Sequence, residues 1–234
     1  MSTPLIIAID GPSGSGKSTL GRMLARSLNL LYLDTGSMYR AVALAVKESA
    51  INPANEAAVA SLASRVEIDL QGDPDALMVT LGGRDVTEKI RAEEVTVLSS
   101  IVSAIPSVRR AMVERQRTLG RRGGVLNGRD IGTVVFPKAD VKFFLTASPQ
   151  ERAQRRYLEQ RARDPDVSFE TTFAEMVERD KRDTTRLDSP LRPADDAIVL
   201  DSTGLSVEEV CKKMMDVIEE RQKHGRRREA GRPL

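Results

Sequence analysis

The stretch "PLIIAIDGPSGSGKSTLGRMLARSL", residues 4–28, decides the fold. Residues 4–10 form an apolar run that stops at a glycine, the pattern of a strand buried on both faces of a parallel sheet. Gly11, Pro12, Ser13, Gly14, Ser15, Gly16, Lys17, Ser18 and Thr19 follow, with Gly11, Gly16, Lys17 and Ser18 in G-x-x-x-x-G-K-S/T register. Leu20, Met23, Leu24 and Leu28 then keep a helical spacing. Strand, glycine loop and helix in that order form a phosphate cradle. The glycines let backbone N–H groups turn inward, and the helix N-terminus adds a positive end. In such a loop the lysine reaches the β- and γ-phosphates and the serine hydroxyl ligates Mg²⁺. Residues 11–19 are therefore the expected ATP site, with Ser18 the metal contact.

Outward from this unit the chain alternates strand and helix. "LLYLD" (30–34), "GGVLNG" (123–128), "VKFFLTA" (141–147) and "AIVLDST" (197–203) read as further strands. Helices are expected over 37–49, 107–119, 148–163, 168–184 and 206–222, the last opened by a Ser206–Glu209 capping box. The alternation predicts an α/β class with a central five-stranded parallel sheet flanked by helices. Residues 63–92 break the rhythm. Two alternating runs joined by Gly-Asp-Pro-Asp predict a small antiparallel insertion. A long helical region broken near Pro106 then returns to the core.

Composition removes several chemistries. The one histidine, His224, sits in the C-terminal tail, which excludes a Ser-His-Asp triad and an H-E-x-x-H zinc site. The single cysteine, Cys211, can form neither an internal disulfide nor a cysteine zinc cluster, and it keeps the helical stripe of a core position. No apolar run is long enough to span a bilayer, and the N-terminus lacks a basic leader, so the expected setting is cytoplasmic, with no membrane contact. Net charge is +2, yet residues 221–234 carry six basic residues and one acid. That tail is expected to be disordered and solubilising. With aromatics at 3% the body lacks a stacking surface, so no specific nucleic acid is expected. No asparagine is followed by lysine, as a guanine-reading N-K-x-D motif would need.

A sugar hydroxyl acceptor calls for a carboxylate base near the nucleophile. A phosphate acceptor is largely a dianion at neutral pH and needs positive charge instead. The absence of histidine outside the tail, together with clustered arginines, favours a phosphate acceptor. In "VERDKRDTTR" (177–186), Arg179, Asp183 and Arg186 share a helical face. On spacing alone they read as a solvated, salt-bridged surface.

Six ordered blocks make the likeness specific: "IAIDGPSGSGKST" (7–19), "YLDTGSMYRA" (32–41), "NGRDIGTVVFP" (127–137), "ERAQRRYLEQ" (151–160), "ERDKRDTTR" (178–186) and "DSTGLSVEEV" (201–210). Together they resemble the bacterial-type cytidylate kinases, P-loop nucleoside monophosphate kinases that phosphorylate CMP and dCMP with ATP. The likeness spans about residues 4–222. It implies that Arg40, Arg129 and Arg186 clamp the CMP phosphate, a task suited to bidentate guanidinium groups. By the same resemblance Arg179 and Asp183 contact the ribose. Ser100, Arg109 and Asp130 read cytosine, and Thr35 and Tyr39 line the pocket. A carboxylate and a hydroxyl near N4, with an arginine near N3, match cytosine and mismatch uracil. Lys17, Arg129, Arg156 and Arg186 are the implied catalytic set. Arg156 leads the lid arginines that close over the triphosphate, ahead of Arg152 and Arg161; Arg155 shares the segment. The family usually carries an acid just before "GRD". Asn127 stands there, giving up the charge but keeping an acceptor oxygen, with Asp34 a weaker alternative for ordering the Mg²⁺ waters.

The expected organisation is one kinase domain over 1–222. Its core is 1–36, 107–148 and 185–222, and its acceptor region is 37–106 with the insertion at about 63–92. The lid is about 149–170, and 223–234 is the basic tail. The partners are ATP and CMP or dCMP with Mg²⁺ as cofactor, and the chain is expected to be a monomer. Two rivals stand beside this reading: a P-loop kinase for UMP, AMP or shikimate, and a nucleotide-dependent module that holds RNA through the tail.

Overall fold

The computed structural model describes residues 4–230, with side chains through residue 223. Strand β1 (Ile6–Asp10) lies at the centre of a five-stranded sheet of order β2-β6-β1-β7-β8. Its partners are β2 (Tyr32–Asp34), β6 (Gly124–Gly128), β7 (Val141–Thr146) and β8 (Ile198–Asp201). All four pairings are parallel, as the alternation predicts. β1 is buried on both faces. Ile7 and Ile9 pack with α1 (Lys17–Leu28) and α8 (Val207–Ala230), and Ala8 turns to the other layer. That second layer holds α2 (Thr35–Glu48), α3 (Glu56–Arg65), α4 (Glu93–Val102) and α5 (Pro106–Gly120).

The register brings the reactive ends together. Asp10 pairs with Gly128 and Asp34 with Asn127. The loops that follow β1 and β6, and the helix that follows β2, therefore start at one edge of the sheet. β1 lies between β6 and β7, so the strand order reverses there. That reversal opens a crevice at the carboxyl ends of the strands.

The insertion is antiparallel, as expected, with β3 (Ile68–Gln71) paired to β4 (Met78–Leu81). A third short strand, β5 (Arg84–Asp85), was not expected. It forms because Gly82 and Gly83 both take positive φ, 56° and 75°, which permits a two-residue hairpin turn. Ile68, Leu70, Val79 and Leu81 bury one face of this sheet against the α2 layer. Helix α3 also escaped the sequence reading. The Asn55 side chain caps it, accepting the Ala58 N–H at 3.1 Å. Pro106 opens α5 at its first turn, which separates α4 from α5 near the predicted break.

α6 (Pro149–Arg161) and α7 (Phe169–Thr185) pack against each other at the mouth of the crevice. The capping box forms as read: Ser206 N–H donates to Glu209 at 2.8 Å, and Glu209 N–H to Ser206 Oγ at 3.2 Å. Cys211 is buried, and burial pushes its thiol up. The tail differs from the expected disorder in that helix α8 runs on to Ala230. The side chains from 224 on, His224 among them, and residues 231–234 lie outside the described residues. Among the described residues no helix is long and apolar enough to cross a membrane.

Candidate active site

The P-loop is built by glycines that no other residue could replace. Gly11 has φ 147°, and a β-carbon there would fall on the Leu145 carbonyl oxygen of β7. Gly14 has φ 72° and leaves no room beside the Arg152 backbone. Lys17 is buried, and its ammonium donates to the Pro12 carbonyl at 2.6 Å and to Ser15 Oγ at 3.2 Å. Burial, reinforced by the charge of Arg129, holds its pKa well below the usual lysine range. An anion bound in the loop would reverse that pressure.

Residues 13–19 line a cleft of about 620 Å³ that continues across the β6 end to α2, α5 and α7. Eleven basic and five acidic side chains line it, an excess of six in a chain whose net charge is only +2. Cationic charge is thus concentrated at the crevice. Thr35, Tyr39, Arg40, Arg109, Arg129, Asp130, Arg156, Arg179, Asp183 and Arg186 all reach it.

The acceptor side is a network around two carboxylates. Arg109 Nη2 donates to Asp130 Oδ2 at 2.6 Å, Nη1 donates to the Ser103 carbonyl at 3.1 Å, and the guanidinium lies 5.4 Å from the Tyr39 ring centre. Asp183 accepts from Arg129 Nε at 3.0 Å and Arg186 Nη1 at 3.3 Å. Burial alone would raise the Asp183 carboxyl, but Arg129, Arg179 and Arg186 outweigh it and hold it below the usual carboxylate range. One lone pair on each Asp183 oxygen goes to an arginine, and each oxygen keeps a second acceptor position. Burial, with Arg129 beside it, pushes the Arg179 guanidinium down to about 10. Arg40 donates to Asp34 at 3.0 Å and to Ser37 at 2.6 Å. Arg40 Nε, Arg179 Nε and Arg186 Nη2 are buried donors with no partner. Leaving such groups unpaired is costly, and an anion would satisfy them.

Three expected residues sit differently. The Ser100 hydroxyl is buried and unpartnered, but it faces a smaller neighbouring cavity bounded by Thr96, Arg156 and Arg179. Ser99 and Ser103 line the main cleft on α4 and the turn after it. Arg152 is buried and pinned to the Ser13 and Ala147 carbonyls and to Asp180, so it supports the P-loop backbone. Arg161 lies over the Tyr157 ring, and the main cleft is lined without it. Arg155 reaches the cleft held by Ser202, and Arg156 is paired to Glu93 at 3.0 Å, an oxygen that also accepts from Gln160 at 2.7 Å. Helical spacing could not separate these arginines, because buried and solvated ones repeat at the same intervals.

Asn127 Nδ2 donates to Ser18 Oγ at 3.1 Å, and its Oδ1 is buried with no partner. A free acceptor beside the P-loop hydroxyl fits Mg²⁺ through water. Among the described residues no group of three His, Cys, Asp or Glu side chains could hold a metal, so most ligands for Mg²⁺ would come from nucleotide phosphates and water.

Comparison with known proteins agrees with this geometry. The cytidylate kinase family profile matches residues 7–220. A cytidylate kinase of Geobacter sulfurreducens is 49% identical over 220 residues, 94% of each chain. One of Syntrophotalea carbinolica is 49% identical over 223 residues, 95% of each. A solved structure of an uncharacterized protein from Eubacterium ventriosum shares the fold, with TM-score 0.52 and 13% identity over 92% of this chain and 98% of that one. The glycine loop, the arginine-rich cleft and the profile match along nearly the whole sequence converge: this chain belongs to the cytidylate kinase family.

Proposed function

We propose that the chain transfers the γ-phosphoryl group of ATP to CMP or dCMP, giving ADP and CDP or dCDP. The observation that carries this reading is the set of buried, unpartnered guanidinium donors on Arg40, Arg179 and Arg186, lining one cleft with a P-loop lysine whose ammonium donates only to neutral oxygens. Two anionic nucleotides would neutralise both halves.

The backbone of residues 11–19 cradles the β-phosphate, and Lys17 follows the γ-phosphoryl as charge develops on it. Mg²⁺ bound at Ser18 would draw charge from the β- and γ-oxygens. Arg40, Arg129 and Arg186 hold the CMP phosphate, whose dianion attacks in line without a base. Arg179 and Asp183 orient the ribose. Arg109 and Asp130, already joined, present a guanidinium and a carboxylate to the cytosine edge, with Ser100 supplying a hydroxyl and Thr35 and Tyr39 closing the wall. Arg156 leaves Glu93 to meet the triphosphate, as a lid that excludes water. The single buried cysteine and the nucleotide substrates fit a cytoplasmic setting.

The test is product identity. Wild-type protein with ATP, Mg²⁺ and CMP should yield CDP and ADP in equal amounts. Lys17→Ala should lose at least about a hundredfold in kcat. No CDP from the wild type, or an unimpaired Lys17→Ala, would sink the reading.

A further inference from the structure

Asp10 ends β1 one residue before the P-loop, and the roles assigned above leave it unused. It is 4% exposed. Its two carboxylate oxygens accept the backbone N–H groups of Ile131 at 2.8 Å and Gly132 at 2.7 Å. These donors open a single wide turn, Ile131–Val135, that follows directly on Arg129 and Asp130. Turns of this type cluster at functional sites. No side chain of the preceding residue caps it, because the Asp130 carboxylate is taken by Arg109. Asp10 therefore caps the turn from the neighbouring strand, at the same end of the sheet. The last backbone pairing there is Asp10 with Gly128, so beyond it the strand ladder no longer constrains the loop.

We propose that Asp10 is a positioning residue for phosphoryl transfer: its carboxylate ties the acceptor-binding Arg129–Asp130 segment to the strand that launches the donor loop. The inference rests on the kinase reading above. Its physical logic is bidentate. A carboxylate offers an oxygen to each N–H, whereas an asparagine offers one oxygen and sets its own N–H₂ against the second donor. The carboxylate also packs on the turn backbone, since a β-carbon at Gly132 would meet Asp10 Oδ2 at 3.4 Å and the Lys142 side chain at 3.1 Å. A shift of the turn would carry Arg129 away from Asp183 and Asp130 away from Arg109. Misplacement on that scale at a positioning residue costs rate even when binding groups survive. The charged groups facing Asp10 are Lys17 from α1 and Asp130 from the turn, of opposite effect. Burial is the largest influence and lifts the carboxyl to about 6, so the anion is kept here against a desolvation cost.

The experiment compares Asp10→Asn and Asp10→Glu with the wild type in steady-state kinetics and thermal unfolding. For Asp10→Asn, kcat/KM for CMP should fall about tenfold or more, as expected for one lost charge-assisted hydrogen bond. The KM for ATP should stay within about twofold, and the loss for CMP should persist when the assay is run well below the variant's own melting temperature. Asp10→Glu should recover part of the CMP loss. Equal losses for both nucleotides, or none, would overturn the proposal. If Asp10→Asn does not fold, backbone amide spectra of the wild type decide. The Ile131 and Gly132 amides should shift together with a midpoint near the value of about 6 given by the buried carboxyl, and silent amides would overturn it. Absence of CDP from the wild type would instead sink the kinase reading, leaving the spectra to judge the Asp10 contact.

Discussion

Arg129 Nε donates to Asp183 Oδ2 at 3.0 Å, joining the loop after β6 to the last turns of α7. Asp183 is 5% exposed, and Arg186 occupies its other oxygen. One carboxylate thus holds two cations in place before any nucleotide arrives. That preorganisation lowers the entropy lost when a phosphate binds.

Asp183→Asn would leave Arg129, Arg179 and Arg186 facing one another. Removing one partner of a buried ion pair costs on the order of 3 kcal/mol. The Asp183 carboxyl is held below its usual range, so its contribution is present above about pH 4 and is lost as pH falls through the depressed folded value. Urea unfolding should show Asp183→Asn less stable than the wild type at neutral pH, with the gap closing below about pH 4. A gap that stays constant into acid would contradict the network.

Arg186→Ala removes a buried guanidinium whose Nη2 has no partner in the free protein. The KM for CMP should rise about a hundredfold, in line with truncating a buried charge contact, while that for ATP changes by no more than a few-fold. Equal weakening of both nucleotides would argue against the phosphate clamp.

Arg156 reaches the cleft from α6 but is held by Glu93 on α4. Arg156→Ala should lower kcat by about a hundredfold while sparing the KM for CMP. A mainly CMP-directed defect would move Arg156 out of the lid role.

Ser100 offers an unpartnered hydroxyl in the cavity beside the cleft. Ser100→Ala should narrow the preference for CMP over UMP by roughly 1 kcal/mol, about fivefold in the ratio of kcat/KM. An unchanged ratio would remove Ser100 from cytosine reading and direct attention to Ser99 and Ser103, which line the main cleft.

The donor half was legible from residues alone. A buried strand, a turn that only glycine tolerates and a helical apolar stripe are local features, and residues 4–28 contain all three. The acceptor half was not. Arg179, Asp183 and Arg186 have the spacing of any salt-bridged helix, and only the likeness across the chain moved them into a pocket. Arg152 and Arg156 lie on one helix four residues apart, yet one is pinned to the P-loop backbone and the other lines the cleft, paired to Glu93. Burial separates them, and burial is a tertiary property. The wide turn at Ile131–Val135 left no periodic trace, because its cap lies on β1. Helix α3 does carry a local signal, in Asn55 and the alanine-rich run after it.

The most direct measurement is ADP formation from ATP and Mg²⁺ across a panel of CMP, dCMP, UMP, AMP and shikimate at matched concentrations. Highest kcat/KM with CMP or dCMP is the predicted result. A better acceptor among UMP, AMP and shikimate would contradict the assignment of Arg109, Asp130 and the arginine clamps to a cytidine monophosphate.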